Sequence, residues 1–458
     1  MALLIQNGRV VTPERTFAAD VLVRGGKIAA VGPNLPADGC EIFDAAGCLV
    51  FPGFIDAHTH LDMDNGVTAT ADDFATGTRA AVCGGTTTVV DFATQDKGGT
   101  LARALAAWHK KADGKSSCDY AFHMAVTDWN PAVAEEIGEM VKAGVTSFKL
   151  YLAYDNLRVT DGELYEILKK VGQAHGIIGT HCENGDLVNE KAAEFRAAGR
   201  LGPQYHAPSR PGYVEAEAVA RYCYIAKAAG VPVHIVHLST RMGLEEARRA
   251  RARGQKVYLE TCPQYLVLDE SRYEAPGFEG AKYVCSPPLR SLDDQAALWE
   301  AVGNGEIDSI STDHCSYNFV GQKDLGRDDF SRIPNGLPGI EHRPAAVYTA
   351  GVAAGRMTEN RMAALLSEHA ARLFGMYPRK GTISVGSDAD IVVWDPAARW
   401  TISAGTQHHN CDYTPYEGMA VQGRAKAVFL RGELAAENGE PVREGLGSYV
   451  ARGVSEYY

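Results

Sequence analysis

The chain has 458 residues, of which 45% are hydrophobic and 22% charged, and its formal net charge is −12. This length suits three domains of about 150 residues, or two domains of which one is large. The acidic balance and the lack of a dense Lys/Arg run argue against a nucleic-acid partner. No apolar run approaches the roughly 18 residues that a membrane-spanning helix needs.

The start of the chain and its cysteines indicate a compartment. Met1 leads directly into a strand-like alternation, without the pattern of a signal peptide. The ten cysteines are scattered and none form a CxxC pair, so we expect reduced thiols in a cytoplasmic protein. Cys182 and Cys315 stand beside candidate site residues. Either could be a reactive thiol, but a small buried hydrophobe is the commoner role for such a cysteine.

Both ends of the chain are rich in short strand signals. In residues 1–52, alternating apolar runs are separated by the turn pairs Asn7-Gly8 and Gly25-Gly26. Residues 379–458 carry similar runs, such as GTISVGSDADIVVWD and KAVFLRGEL. Two β-rich ends around a different middle predict one small β-sandwich domain built from both termini.

Between these ends, residues 53–378 alternate between strand-like and helix-like patterns. Stretches of helical periodicity, many followed by Gly at the expected C-terminal position, separate the apolar runs. The strand-like runs are 53–60, 86–93, 120–126, 146–153, 176–183, 232–239, 256–263 and 307–314. Eight strand–helix alternations predict an α/β fold of the TIM-type (β/α)₈ barrel, whose active site lies at the carboxyl ends of the strands.

The first run ends in a pair of histidines. His58 and His60 are two residues apart, so on a strand both imidazoles lie on one face. With Asp56 ahead of them they make a reasonable metal clamp. Alone, however, an H-x-H pair is a weak signal, because such short motifs often match by accident.

Lys149 is the charged residue of the fourth run, SFKLYLAY. A buried ammonium is costly, so either its pKa falls or it is paired. A neutral amine can add CO₂ to become a carbamate, an anionic ligand with two oxygens that can bridge two metals. The alternative is a lysine held in a salt bridge inside the barrel, and from this residue alone that alternative is the stronger.

Three further candidates end later strands. His181 ends the fifth run and His237 the sixth, whereas His234, three residues earlier, is predicted to point to the opposite face and to be structural. Asp313 ends the eighth run and could be a metal ligand, a general base or a helix-capping residue, of which capping is the commonest.

Taken together, the candidates exceed the needs of one metal. Imidazole and carboxylate suit zinc and similar divalent ions, and one tetrahedral zinc takes four ligands. The pattern therefore predicts two divalent metal ions, with zinc preferred, held by six side chains from five strand ends: His58, His60, Lys149, His181, His237 and Asp313.

An ordered series of motifs extends from about residue 50 to residue 420: GFIDAHTHLDM, GGTTTVVDFA, SFKLYLAY, HCENGD, VHLST, ETCPQYL, AKYVCSPPLR, STDHCSYNF, IPNGLPGIEHR, LFGMYPRKGTISVGSDADIV and DYTPYEGM. In these motifs the sequence resembles the hydantoinase/dihydropyrimidinase family (D-hydantoinase-like) of the amidohydrolase superfamily.

The resemblance implies a role for each ligand. His58, His60 and Asp313 would hold one metal, and His181 and His237 the other. The carbamate of Lys149 would bridge the two. Asp313 would also act as general base and then general acid while a cyclic amide opens to an N-carbamoyl amino acid.

The resemblance also implies the contacts to substrate. Tyr154 would donate to the oxyanion, and Ser286 and Asn335 would bind the ring amides. The family is commonly tetrameric, so a homotetramer acting on a small cyclic amide is expected.

Two loops depart from the family pattern, and in the family these loops shape the pocket for the ring substituent. After HLDM the family often has Pro, a bulky apolar residue and Gly-Gly, whereas this chain has Asp64 and Asn65. After LAY an aromatic residue is common, whereas here Leu157 and Arg158 follow Asn156. We predict a more polar substituent pocket, formed by Leu61, Met63, Asp64, Asn65, Leu157 and Arg158. Alternatively, Asp64 and Arg158 face water and the apolar members form an ordinary pocket.

Two other functions are possible for a chain with these motifs. One is a sister amidohydrolase such as an allantoinase or a dihydroorotase, but TCPQYL and NGLPGIEHR favour a hydantoinase. A non-catalytic relative would keep the fold without the metals, but here all six ligand positions are filled.

Overall fold

Strands from both chain ends build two sheets of the computed structural model, which describes residues 2–457. The N-terminal strands are β1 (Ala2–Gln6), β2 (Arg9–Val11), β3 (Thr16–Ala18), β4 (Asp20–Arg24), β5 (Lys27–Gly32), β6 (Cys40–Asp44) and β7 (Leu49–Pro52). The middle of the chain forms β8 (Phe54–Thr59), β9 (Thr86–Thr94), β10 (Asp119–Ala125), β11 (Ser147–Tyr151), β12 (Ile177–His181), β13 (Val233–Ile235), β14 (Val257–Thr261) and β15 (Ser309–Ile310). The C-terminal strands are β16 (Ile391–Thr401), β17 (Ala420–Leu430), β18 (Glu433–Glu437) and β19 (Glu440–Pro441).

The terminal sheets have four strands, in the order β5-β4-β1-β6, and seven strands, in the order β19-β18-β17-β16-β7-β2-β3. The pairing of β16 with β7 joins the two ends of the chain in one sheet. An apolar cluster that includes Leu3, Val21, Val50, Val393 and Phe429 draws on both sheets. Burial of alternate side chains from facing sheets is what holds a β-sandwich together, so the predicted sandwich from both termini is confirmed.

Helices alternate with the eight middle strands. They are α1 (Phe74–Gly84), α2 (Leu101–Ala112), α3 (Pro131–Lys142), α4 (Asp161–Gln173), α5 (Gly185–Ala197), α6 (His206–Ser209), α7 (Gly212–Ala229), α8 (Arg241–Ala252), α9 (Pro263–Val267), α10 (Leu292–Gly303), α11 (Arg343–Val347), α12 (Glu359–Ala363) and α13 (His369–Leu373). Local sequence explains several ends: Thr160 and Glu163 form a capping box at the start of α4, and Gly230 ends α7 with a left-handed φ of 72°. Short 3₁₀ turns lie at Pro203–Tyr205, Glu270–Glu274, Glu279–Tyr283, Lys323–Gly326 and Phe330–Arg332, and π-helical turns at Tyr348–Ala353 and Ala364–Glu368.

The middle strands pair in chain order from β8 to β15, and every pair is parallel. The sheet closes on itself where Thr59 bridges His314 and the His60 N–H donates to the His314 carbonyl at 2.8 Å. Towards the amino ends of the strands, Ile55, Ala121 and Phe374 belong to an apolar cluster that fills the interior. The predicted (β/α)₈ barrel is therefore confirmed, and it leaves the carboxyl ends of the strands for polar groups. The domain boundaries at 52/53 and 378/379 remain our proposal.

Membrane insertion has no support in the helices. Among residues 2–457, no helix combines the length and the apolar composition required to cross a bilayer.

A buried ion cluster connects the barrel to the sandwich. The Lys380 ammonium lies 2.5 Å from Asp119, at the start of β10, and 3.0 and 2.6 Å from Asp388 and Asp390, just before β16. Burial alone would lower the pKa of Lys380, but the three carboxylates outweigh burial and raise it. These carboxylates are close enough to resemble a cation site, and the lysine supplies the cation.

We expect Lys380→Met to destabilise the fold strongly, because it removes the cation shared by three buried carboxylates. Asp390 then has no ion-pair partner within residues 2–457, whereas Asp119 keeps Arg431 and Asp388 keeps Lys27 and Arg379. Breaking a buried ion pair from one side costs about 3–5 kcal/mol. Urea unfolding followed by tryptophan fluorescence measures the change. Lys142→Met is the matched control, because Lys142 pairs with Glu139 on the exposed surface and its loss should not move the midpoint. Equal midpoints for Lys380→Met and the wild type would show that the cluster does not stabilise the joint.

Candidate active site

The six predicted ligands meet at the carboxyl ends of the barrel strands. They line one cleft of about 980 Å³: His58, His60, Lys149, His181, His237 and Asp313. They come from chain segments far apart in sequence, so their convergence depends on closure of the barrel.

Three of the predicted ligands, His58, His60 and Asp313, form a compact group. The Oδ1 atom of Asp313 lies 3.1 Å from Nε2 of His58 and 3.1 Å from Nε2 of His60. Their candidate ligand atoms all lie within 4.8 Å of one another. Two imidazoles and a carboxylate are a donor set that suits zinc and similar ions.

A second pair of imidazoles lies beside this group. Nδ1 of His181 is 3.0 Å from Nε2 of His237, while Nε2 of His181 lies 2.8 Å from Glu183. With Nε2 engaged by a carboxylate, Nδ1 keeps its lone pair in the cleft, which suits coordination of a second ion. Burial lowers the pKa of both histidines, and a neutral imidazole is the form that binds metal.

Lys149 lies beside both groups. Its Nζ is 3.5 Å from Nε2 of His58, and the side chain is 1% exposed. Within residues 2–457 no carboxylate comes within salt-bridge distance of it, so the alternative of a salt-bridged lysine is not what the structure shows. Burial lowers the pKa of Lys149 to about 8. A fraction of the amine is therefore uncharged near neutral pH.

Glu260 supports the site, and sequence reasoning missed it. Its Oε1 accepts a hydrogen bond from Nδ1 of His58 at 2.6 Å and from the backbone N–H of His237 at 3.2 Å. The carboxylate fixes the ring of one ligand and the backbone of another. Its signal was available, since Glu260 is a lone acid in the apolar run KVYLETCP, as Lys149 is a lone base in its own run.

Glu183 and Arg210 form a second supporting pair that was also missed. Glu183 is two residues beyond His181 and accepts a hydrogen bond from Arg210 at 2.6 Å. The guanidinium lies 5.7 Å from the ring centroid of Tyr154. Spacing alone could have indicated Glu183, but Arg210 comes from the segment between α6 and α7 and carries no local signal.

The prediction that His234 points to the face of the strand opposite His237 was wrong. Lys149 pairs with Gly179, and Gly179 pairs with His234, so all three share the interior face of the barrel. His234 lies 5.5 Å from Phe374 between ring centroids, beneath the ligands. Alternation failed because β13 ends at Ile235, and His237 then takes a left-handed φ of 40°.

The predicted substrate contacts share the cleft. Tyr154, Ser286 and Asn335 all line it. Burial raises the pKa of Tyr154 to about 12, so its phenol stays protonated and able to donate. Lys323 holds the other two segments together: its buried Nζ donates to the carbonyls of Val284, Pro334 and Gly336 at 2.7–2.8 Å.

The residues predicted for the substituent pocket divide into two sets. Met63, Asp64, Asn65 and Leu157 line the cleft. Leu61 and Arg158 lie outside that lining. Leu61 is fully buried against Gly77 of α1, and Arg158 pairs with Asp155 and Asp186 at 2.8 and 2.6 Å.

The two cysteines near the site are protonated thiols. Burial raises the pKa of Cys315 to about 12 and that of Cys182 well above its usual value. A thiol is a poor nucleophile, so both fit the interpretation as small buried hydrophobes.

Known proteins place this fold and site in a class. The model of the amidohydrolase family matches residues 49–435. That family depends on a binuclear metal centre, and the candidate metal-binding group described above fits it.

Individual relatives narrow the class. D-hydantoinase from Geobacillus stearothermophilus is 46% identical over 99% of this chain and 97% of its own length. D-phenylhydantoinase from Escherichia coli (strain SE11) is 43% identical over 94% of each chain. The crystal structure of dihydropyrimidinase from Brevibacillus agri NCHU1002 superposes with a TM-score of 0.98, at 45% identity over 99% of each chain. The chain therefore belongs to the hydantoinase/dihydropyrimidinase branch of the amidohydrolase family, as its motifs indicated.

We expect Glu260→Gln to weaken metal binding by about 10- to 100-fold, the usual effect of losing a group that orients a ligand. The amide keeps the size of the side chain but loses the charge that faces His58. Competition with a chelator, followed by elemental analysis, measures the change. Glu190→Gln on the exposed face of α5 is the control. Wild-type affinity in Glu260→Gln would mean that the carboxylate does not support the ligand.

Proposed function

We propose that this cyclic amidohydrolase opens the rings of hydantoins and dihydropyrimidines to N-carbamoyl amino acids. The observation that carries the proposal is the complete set of six ligands in one cleft with Tyr154, Ser286 and Asn335. The relatives named for hydantoin and dihydropyrimidine substrates support the choice of ring.

Two divalent ions, zinc by preference, fit the donor set. His58, His60 and Asp313 would hold one, and His181 and His237 the other. When bound, such a pair lowers the pKa of a water between them towards about 7 and polarises the scissile carbonyl. Burial lowers the pKa of His60, His181 and His237 and so favours their neutral imidazoles, whereas the carboxylates of Asp313 and Glu260 outweigh burial and raise the pKa of His58.

Lys149 would complete the centre as a carbamate. Addition of CO₂ requires the uncharged amine, and a pKa of about 8 makes that form accessible. The carbamate would replace a buried cation by an anion with two oxygens that can bind divalent ions. Gly179, its neighbour in register on β12, has no side chain to crowd the group.

Asp313 would carry the proton. Burial alone would raise its pKa, but His58 and His60 outweigh burial and hold the pKa well below the usual value. The carboxylate is therefore ready to accept the proton of the attacking water and to pass it to the departing ring nitrogen. Tyr154, protonated at neutral pH, would donate to the oxyanion.

Two further proposals concern the oligomeric state and the cellular compartment of the protein. We propose a homotetramer on the family resemblance. We propose a cytoplasmic location because all ten cysteines are free thiols.

The first of three predictions from this proposed function concerns Lys149. We expect about two divalent ions per wild-type chain, and we expect Lys149→Ala to be nearly inactive because both ions lose a shared ligand. Acetate or propionate should restore part of the activity by supplying the missing carboxylate. Elemental analysis and a hydantoin assay measure both effects, and Lys169→Ala on the exposed face of α4 is the control. One ion in fully active enzyme, or an unmodified amine in active metal-loaded protein, would contradict the assignment.

The second prediction concerns the proton transfer that we assign to Asp313. Asp313→Asn should keep much of its metal, because the other ligands remain, while kcat falls by about 10²–10⁴-fold. Steady-state kinetics and metal analysis of the same preparation separate the two effects. Asp328→Asn, an exposed aspartate, should behave as the wild type. Near-normal turnover by Asp313→Asn would move the proton transfer to another group.

The third prediction concerns the substituent. Asp64 and Asn65 line the cleft beside Met63 and Leu157, and desolvating polar groups against a phenyl ring costs free energy. We expect kcat/KM for dihydrouracil or hydantoin to equal or exceed that for phenylhydantoin, with a discrimination of about 10- to 200-fold at most. A strong preference for the aromatic substrate would show that the polar side chains turn away from it.

A further inference from the structure

The cleft is lined by more basic than acidic side chains, although the chain as a whole is acidic. Beyond the ligands, its lining includes two carboxylates, Asp64 and Asp96. It also includes four cations: Lys97, Arg103, Lys111 and Arg332. A formal net charge of −12 for the whole chain makes a locally positive cleft a feature to explain.

Three of these cations are available to a ligand. Lys97, Arg103 and Arg332 are exposed. Within residues 2–457, their side chains form no ion pair, hydrogen bond or ring contact. An unengaged guanidinium at the wall of a cleft has all five donors free for a carboxylate or another anion.

The helix α2 places part of this charge. Arg103, Ala107 and Lys111 are spaced four residues apart, so they lie on one face, and all three line the cleft. At 1.5 Å per residue, the two cations are about 12 Å apart along the helix. Trp108, also in the lining, is fixed by a 2.8 Å hydrogen bond to Asp91, and Lys111 lies 4.1 Å from its ring centroid.

The size of the cleft leaves room for a substituent to reach these groups. A volume of about 980 Å³ is at the upper end of the range for small-molecule sites, whereas a hydantoin ring has five ring atoms. Met63 and Leu157 line the same cleft as Lys97, Arg103 and Arg332, so a substituent on the ring has room to approach these cations.

We propose that the preferred substrates are cyclic ureides whose substituent ends in an anionic group, and that Arg103, Arg332 and Lys97 determine this specificity. The inference rests on the proposed function, because it names the substrate class of the same site. Attraction at an exposed rim is modest for each pair, but several cations in one concave site act together and also raise the rate of encounter.

The test compares two substrates that differ in charge alone. Carboxymethyl-hydantoin carries the anion, and carbamoylmethyl-hydantoin is its neutral isostere. We expect a higher kcat/KM for the carboxylate, by about two- to fivefold for each contributing cation, and a preference that shrinks between low and high salt.

Variants then assign the effect to residues. Arg103→Gln, Arg332→Gln and Lys97→Gln should each lower the ratio of the two kcat/KM values, and the triple variant should bring it close to one. Lys110→Gln is the matched control, because Lys110 is an exposed neighbour on α2 outside the cleft lining and should leave the ratio unchanged. Thermal unfolding verifies that the variants are folded.

The outcomes separate this inference from the proposed function. Hydrolysis of unsubstituted hydantoin-type rings without a preference for the carboxylate-bearing substrate would overturn the inference and leave the proposed function standing. The same holds if the preference exists but survives in the triple variant, because other groups would then produce it. If no cyclic ureide is hydrolysed by metal-loaded enzyme, both fail.

Discussion

The burial of the Lys149 amine without a counter-ion is the constraint on which the site depends. Transferring an ammonium into a barrel interior costs several kcal/mol unless it is paired, and Lys149 has no salt bridge within the described chain. The nearby imidazoles are either neutral or cationic, so they cannot compensate its charge. The proposed carbamate with two metals would resolve the conflict, because the lysine would become an anion that the ions neutralise. The modified lysine and the metals would then depend on each other.

The backbone at the site is also under constraint. Tyr154, His237 and Asp313 have φ values of 68°, 40° and 53°, in the left-handed region that L-residues rarely adopt. Such conformations cost about 1–3 kcal/mol each and persist only where the surrounding structure enforces them. All three residues lie just beyond a barrel strand, where the chain turns out of the sheet. The closed barrel therefore aims these side chains at the cleft in directions that a regular strand would not allow.

Sequence patterns predicted the barrel, the sandwich and the main ligands because these features have local signatures. A strand shows period two, a helix shows period 3.6, and a histidine at the end of an apolar run is visible in a short window. Arg210 could not be found this way, since its partner Glu183 is far along the chain and only the fold brings them together. His234 was misassigned because one left-handed residue cancelled the alternation on which the prediction relied. The placements of Leu61 and Arg158 depended on packing against α1 and on ion pairs, which no pattern reveals.

Chemistry and specificity are built on different parts of the fold. The proposed metal ligands lie at strand ends, where closure of the barrel and the carboxylates Glu183 and Glu260 restrict them. The basic side chains of the cleft lie on α2 and on loops, are exposed, and mostly lack partners inside the protein. Substituting them disturbs no buried charge, so its energetic consequences should be confined to the substrate's substituent. A barrel of this design can therefore change the substituents that it accepts while the groups that break the ring amide stay in place.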